Sequence, residues 1–187
     1  MANEKTVNTK ITTPLVRFSY ANVWEAKSIK NPDGTQQPPK FSVTLLIPKT
    51  DKVGLKKIQA AVDAALAAGI AEKWKGKKPA NLKMPIHDGD EKFEEDETKY
   101  GAYEGQYYIT ASSKTAPKIV NAAVEPILER DEFYSGCFGK ASINFFAYDN
   151  VSKGVGCNLN NLQKLQDGEN LGGGRSNPED DFENEDI

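Results

Sequence analysis

The 187-residue chain contains one histidine, two cysteines and no long apolar run, and each shortage removes a class of chemistry. A lone histidine, His87, cannot build a multi-histidine metal centre, and any nucleophile–base triad would have to form around it beside a run of carboxylates. Cys137 and Cys157 have no CxxC spacing, so neither a disulfide framework nor a zinc knuckle is expected, and a reducing cytoplasm is the simplest setting. No stretch reaches the ~18 uncharged apolar residues of a membrane span, and residues 1–10 lack the apolar segment of an export signal. The run Gly136-Cys137-Phe138-Gly139-Lys140 superficially looks like a phosphate loop. Its glycine spacing is wrong, and Ala141 stands where a Mg²⁺-holding hydroxyl is required. Neither a cofactor nor a metal is implied, and a catalytic set is not expected.

What the chain does have is segregated charge. The formal net charge is −3, yet residues 176–187 hold six acids (Glu179, Asp180, Asp181, Glu183, Glu185, Asp186) and no base, which leaves +3 on the rest. Residues 88–97 hold seven acids against Lys92, so without that run the remaining body carries +9. A basic surface concentrates a polyanion, while an acidic arm repels one or occupies its site. The acidic run has one large apolar residue, Phe93, and reads as a solvated loop. As a metal site for a nuclease, with Asp88, Asp90 and Glu91 as ligands, it lacks EF-hand spacing.

Hydrophobic periodicity predicts several short strands and one long helix. Residues 13–24 alternate, with Val16, Phe18 and Tyr20 on one side and Arg17 and Ser19 on the other. Residues 27–39 carry Asn31-Pro32-Asp33-Gly34 and Pro38-Pro39, turn chemistry for a loop that also bears Lys27 and Lys30 and ends at Lys40. A second strand over 41–47 turns Phe41, Val43, Leu45 and Ile47 inward and Ser42 and Thr44 outward. Thr50 or Asp51 then caps a helix with the stripe Leu55, Ile58, Val62, Leu66, Ile70 and Trp74. Trp74 belongs to the core on this pattern, and the lysines at 73, 75, 77, 78 and 83 read as the basic end of that helix. Further strands are expected over 105–113, 118–124, 139–148 and 154–159, the last two as a hairpin. With no repeated βαβ rhythm, the chain is mainly β with one helix, an OB-fold-like small barrel being the best match. Residues 1–170 form the expected domain, and residues 171–187 a Gly-rich linker and an acidic tail expected to be disordered.

A sheet face that binds single-stranded nucleic acid needs aromatic rings for base stacking and cations along the phosphates. The outward positions of 139–148 are Lys140, Ser142, Asn144, Phe146 and Tyr148, so one face combines charge, hydrogen bonding and two rings. Two aromatics on a merely solvated face would be unusual, although a loop or a dimer contact could cover them instead. Tyr108 and Lys114, with Arg17, Lys27, Lys30 and Lys40 around the first loop, extend the same candidate path. In the tail, Asp180, Asp181, Phe182, Asp186 and Ile187 combine acids with apolar anchors suited to a basic pocket on a partner.

Several segments also carry a family resemblance: residues 41–49 (FSVTLLIPK), His87-Asp88-Gly89-Asp90, Tyr134-Ser135-Gly136-Cys137, residues 142–148 (SINFFAY), residues 156–162 and Glu179-Asp180-Asp181-Phe182. In this order they resemble a tailed-bacteriophage family of single-stranded DNA-binding proteins. The resemblance implies an OB-fold core, sequence-independent binding of single strands, and a tail that contacts replication or recombination proteins in the host cytoplasm. The expectation is a non-enzymatic binder, with homodimerisation open. A strand-annealing recombination mediator, a Mg²⁺-dependent nuclease and a phage structural or assembly protein are the alternatives.

Overall fold

The computed structural model describes residues 8–172. Eight strands, β1 (Lys10–Thr12), β2 (Val16–Lys27), β3 (Lys40–Pro48), β4 (His87–Asp88), β5 (Gln106–Ser113), β6 (Lys118–Val120), β7 (Phe138–Asp149) and β8 (Lys153–Gln166), form one sheet. β2 pairs with β3, β3 with β5, β5 with β8, β8 with β7 and β7 with β2, so five strands close into a ring. All ring pairings are antiparallel except β5 with β8, which run parallel and meet at Ser112 and Asn158. This is the OB-like small barrel that the strand count predicted.

Alternation explains most of the barrel. In β7, Gly139, Ala141, Ile143, Phe145 and Ala147 are buried while their neighbours are not. In β8, Val155, Cys157, Leu159 and Leu162 turn inward. Together with Val43, Leu45, Ile47 and Ile109 they fill the barrel interior. Burial pushes the Cys157 thiol up to about 12, as expected for an inert core cysteine.

Strand β2 departs from the pattern. Val16 and Phe18 point inward as expected, but Tyr20 has φ 45° and 46% exposure, while Ser19 before it is buried. The β2–β3 register shifts between Ser19 and Asn22, the mark of a bulge. The bulge exchanges the two faces and sends Tyr20 to the surface instead of the core.

Helix α1 (Lys52–Glu72) begins where the sequence placed it: Asp51 accepts a hydrogen bond from the Gly54 N–H at 2.9 Å. Its buried residues, Ile58, Ala61, Val62 and Ala65, press on the barrel, and burial of Ile58 and Val62 contributes roughly 1.5–3 kcal/mol each. Trp74 follows in the core at 5% exposure. None of the described helices is long and apolar enough to cross a membrane.

The acidic run is not a solvated loop. Asp88 caps a seven-residue helix, α2 (Gly89–Glu95), by accepting from the Asp90 N–H at 2.9 Å, and a short 3₁₀ turn (Gly101–Tyr103) follows. Lys49 holds the cap in place, with Nζ 2.6 Å from both Asp88 Oδ1 and Asp90 Oδ2. A Cβ on Gly89 would collide with the carbonyl oxygens of Tyr103 and Gln106, so only glycine lets α2 lie this close to the sheet. The helix escapes periodicity because it is short and is held by polar groups instead of an apolar stripe.

Candidate nucleic-acid interface

The outward face of the barrel brings Lys40, Lys114 and Phe146 together. They line one shallow groove with Ser112, Ser113, Thr115 and Asn158. Lys40 comes from the start of β3, Ser112 and Ser113 from the end of β5, Asn158 from β8 and Phe146 from β7. Ring closure is what joins them, because β5 reaches β8 at the Ser112–Asn158 contact and β8 carries β7 beside it.

Phe146 is 43% exposed, a large apolar ring on this face. It lies over its cross-strand partner Gly156, where a Cβ would stand 2.7 Å from Phe146 Cζ. The missing side chain on β8 is what lets the ring lie down across the strand. Tyr148 follows two residues on, its ring centroid 6.4 Å from that of Phe146. Asn144, one step in the other direction, accepts a hydrogen bond from Thr9 Oγ1 at 3.0 Å and borders a second hollow, on the α1 side of Phe146. Cations, hydroxyls, amides and stepped rings thus share one face.

The remaining candidates are distributed differently. Lys27 is the cross-strand partner of Lys40, which sets it at the border of this face, but it lines another groove, with Tyr20, Asn22, Lys99 and Glu169 to Gly172. Lys30 is exposed at the base of the loop, bridged to Gln36. Lys140 shares the outward side of β7 but borders a hollow with Val120, Val124 and Gln163. Six residues from Phe146, it is about 20 Å away at the strand rise per residue.

Arg17 and Tyr108 depart from expectation. The Arg17 Nε donates to the Gly136 carbonyl at 3.1 Å and its Nη2 to the Glu169 carbonyl at 2.9 Å, while the guanidinium lies over Phe138. Its donors tie the segment before β7 to the chain beyond β8 instead of facing the groove. Tyr108 points outward as predicted, but its ring stacks on His87 at 5.1 Å and meets Tyr103 edge-on at 5.4 Å. Burial there pushes its hydroxyl pKa up. The tail residues Asp180, Asp181, Phe182, Asp186 and Ile187, with the rest of the linker after Gly172, lie outside the described residues.

Asn158 and Ser112 are groove residues that sequence reasoning passed over. Asn158 stands between inward Cys157 and Leu159, so alternation alone could have marked it. Tyr20 was hidden by the bulge.

The alternative carboxylate site is occupied from within. Hydrogen bonding to the Lys49 ammonium holds the Asp88 and Asp90 carboxyls below the ordinary carboxylate range, and Asp90 also accepts from the Gly105 N–H at 2.7 Å. Among the described residues, no cluster of three or more His, Cys, Asp or Glu side chains is arranged to hold a metal.

Comparison with known proteins points the same way as this face. The single-stranded DNA-binding protein of bacteriophage Enc34, solved in complex with ssDNA, superposes with a TM-score of 0.73 at 27% identity, over 88% of this chain and 90% of that one. Another structure of the Enc34 protein gives a TM-score of 0.70 at 27% identity over 94% and 90%. Gp2.5 of bacteriophage T7, a single-stranded DNA-binding protein, shares the fold at 16% identity, with a TM-score of 0.58 over 95% and 97%. Protein p50 of Acyrthosiphon pisum secondary endosymbiont phage 1 is 29% identical over 169 residues, 88% of each chain. A family profile described as "Enterobacter phage Enc34, ssDNA-binding protein" matches residues 9–187, and the chain belongs to that family.

Proposed function

We propose that this chain binds single-stranded DNA without sequence preference, through the groove between Lys40, Lys114 and Phe146. The observation that carries the reading is that groove: β3, β7 and the bend after β5 bring an exposed ring and two lysines, which form no salt bridge among the described residues, to one site bordered by Ser112 and Asn158. Lysines at its edge hold phosphates, and the ring face takes a base of any identity, which makes the contact tolerant of sequence. Family membership and the likeness to a protein solved with ssDNA support the same reading.

On this reading the protein is a binder and not an enzyme. It coats single strands exposed in phage replication or recombination, and shifts melting by mass action because it prefers the unpaired form. The acidic tail recruits replication or recombination proteins. The Lys49 clamp on Asp88 and Asp90 weighs against a Mg²⁺-dependent nuclease, since a metal would have to displace an ammonium that both carboxylates already hold.

Fluorescence anisotropy of a labelled ~30-nucleotide oligo(dT), against duplex of equal length and across a salt series, tests the reading, since a single OB-fold covers ~4 to 16 nucleotides. The expected result is preference for the single strand, an affinity that falls steeply with salt, and a loss of about 5- to 150-fold in Phe146→Ala, equivalent to the ~1–3 kcal/mol of one stacked base. Equal affinity for duplex and single strand, or an unchanged Phe146→Ala, would overturn it.

A further inference from the structure

We infer that the bound strand does not end at Phe146: it continues over Tyr148 onto a lysine arm formed by residues 73–83 and the β7–β8 turn. The inference rests on the reading above and specifies the length and direction of that same site.

Phe146 stands on a ridge between two hollows. One is the Lys40–Lys114 groove; the other, on the α1 side, is lined by Glu72 and Lys73 with Gly69, Asn144 and Ala147. Beyond it the chain runs from Lys73 to Ile86 with five lysines and no acid. All five are exposed, and among the described residues none of them is in a salt bridge.

The structure attaches this segment to the ring-bearing hairpin. The Lys83 N–H donates to the Lys153 carbonyl, and the Val155 N–H donates to the Lys83 carbonyl, both at 3.0 Å. Gly154, between them, leaves room for the Tyr148 hydroxyl, which would stand 2.7 Å from a Cβ at that position. The rings of Phe146 and Tyr148 therefore step toward Lys83 and Lys153.

Compensation of the helix dipole accounts for little of this charge. The last turn of α1 holds no basic residue, and Gly76, with φ 77°, turns the chain away from the helix before Lys77, Lys78 and Lys83. The effect of the dipole fades within one turn. The opposite exit, past Lys27, leads to a groove of mixed charge, where Lys27 and Lys99 face Glu169 and the chain's own residues through Gly172. The arm is the more positive exit: its five lysines stand against Glu72 at the edge of the hollow and Asp149, which Lys153 pairs at 3.8 Å.

The test uses full-length protein and labelled oligo(dT) of ~6 and ~20 nucleotides, lengths either side of a small OB-fold site. Three variants are compared: the quadruple Lys73→Gln, Lys75→Gln, Lys77→Gln, Lys78→Gln; the double Lys27→Gln, Lys99→Gln; and Phe146→Ala. The substituted lysines are exposed, and binding of the short oligonucleotide reports an intact groove. The quadruple variant is expected to lose about tenfold or more in affinity for the long strand at low salt, with a salt slope shallower by ~0.7 for each phosphate contact removed. Its affinity for the short strand should stay close to wild type.

A long-strand affinity and slope equal to wild type would overturn the inference. So would an equal loss on both lengths, which would mean a general field and not a path, or a length-dependent loss confined to the Lys27, Lys99 variant. If Phe146→Ala binds both lengths like wild type, the groove reading fails first, and that outcome is distinct from an arm that does not contribute.

Discussion

The most discriminating perturbation of the groove is not removal of Phe146 but addition of one carbon beneath it. A Cβ at position 156 would lie 2.7 Å from Phe146 Cζ and 3.1 Å from both Cε atoms, where carbon atoms normally rest at about 3.5–4.0 Å. In Gly156→Ala the ring must therefore lift by about 1 Å, while the backbone, which is not in the left-handed region, can stay as it is. Returning the ring to its stacking position then costs about 0.5–1.5 kcal/mol of rotamer distortion, which predicts a 2- to 12-fold loss of single-strand affinity. Stability should change little, because the entropy gained on replacing a strand glycine, roughly 0.5–1 kcal/mol, offsets the distortion. The assay is oligo(dT) anisotropy on Gly156→Ala, Phe146→Ala and the double variant, with melting temperatures alongside. In the Phe146→Ala background, Gly156→Ala should have no further effect, since the two residues act through one ring. A loss that persists in the double variant would show that the alanine acts through the β7–β8 backbone, and the stacking argument would be refuted.

Two further predictions concern the parts that frame the site. The lowered Asp88 and Asp90 carboxyls make the Lys49 clamp a source of acid sensitivity: its contribution is complete above the unfolded aspartate value of ~3.9 and is lost as pH falls through the lower native values. Lys49→Met should therefore flatten the wild-type fall in melting temperature below about pH 4 relative to its own neutral-pH value, and an unchanged acid limb would mean the clamp is not what titrates. Tyr20 occupies a left-handed backbone that asparagine tolerates and β-branched residues do not. Tyr20→Val should be less stable than Tyr20→Asn by about 1–2 kcal/mol in urea denaturation, and equal stabilities would show that the bulge relaxes in the variants.

How far the sequence could be read follows from which interactions decide each part. Strands β5 and β7 were legible because antiparallel pairs with one buried face impose period two, and the outward positions of Phe146 and Tyr148 followed directly. Strand β3 was legible as a strand, but Val43 to Ile47 are all buried, Thr44 included, and Lys40 opens the strand instead of ending the loop. The cap at Asp51 and the burial of Trp74 were legible because they depend on neighbours within a few turns. The same local logic failed at Tyr20, where a single left-handed residue exchanges the two faces of β2. It failed again at residues 88–97, because α2 is held by Lys49 and by the close approach of Gly89 to Tyr103 and Gln106, contacts that a count of acids does not reveal. Tyr108 illustrates the consequence: its direction was correct, but the unforeseen segment that follows α2 brings Tyr103 against it. The groove itself is the least local feature. Lys114 neighbours Phe146 only because β5 and β8 meet in parallel at Ser112 and Asn158, a pairing that joins the two ends of a five-strand ring. Alternation can assign a residue to a face, but only closure of the ring decides which faces become one surface, so the path for a polyanion is a property of the barrel and not of any one strand.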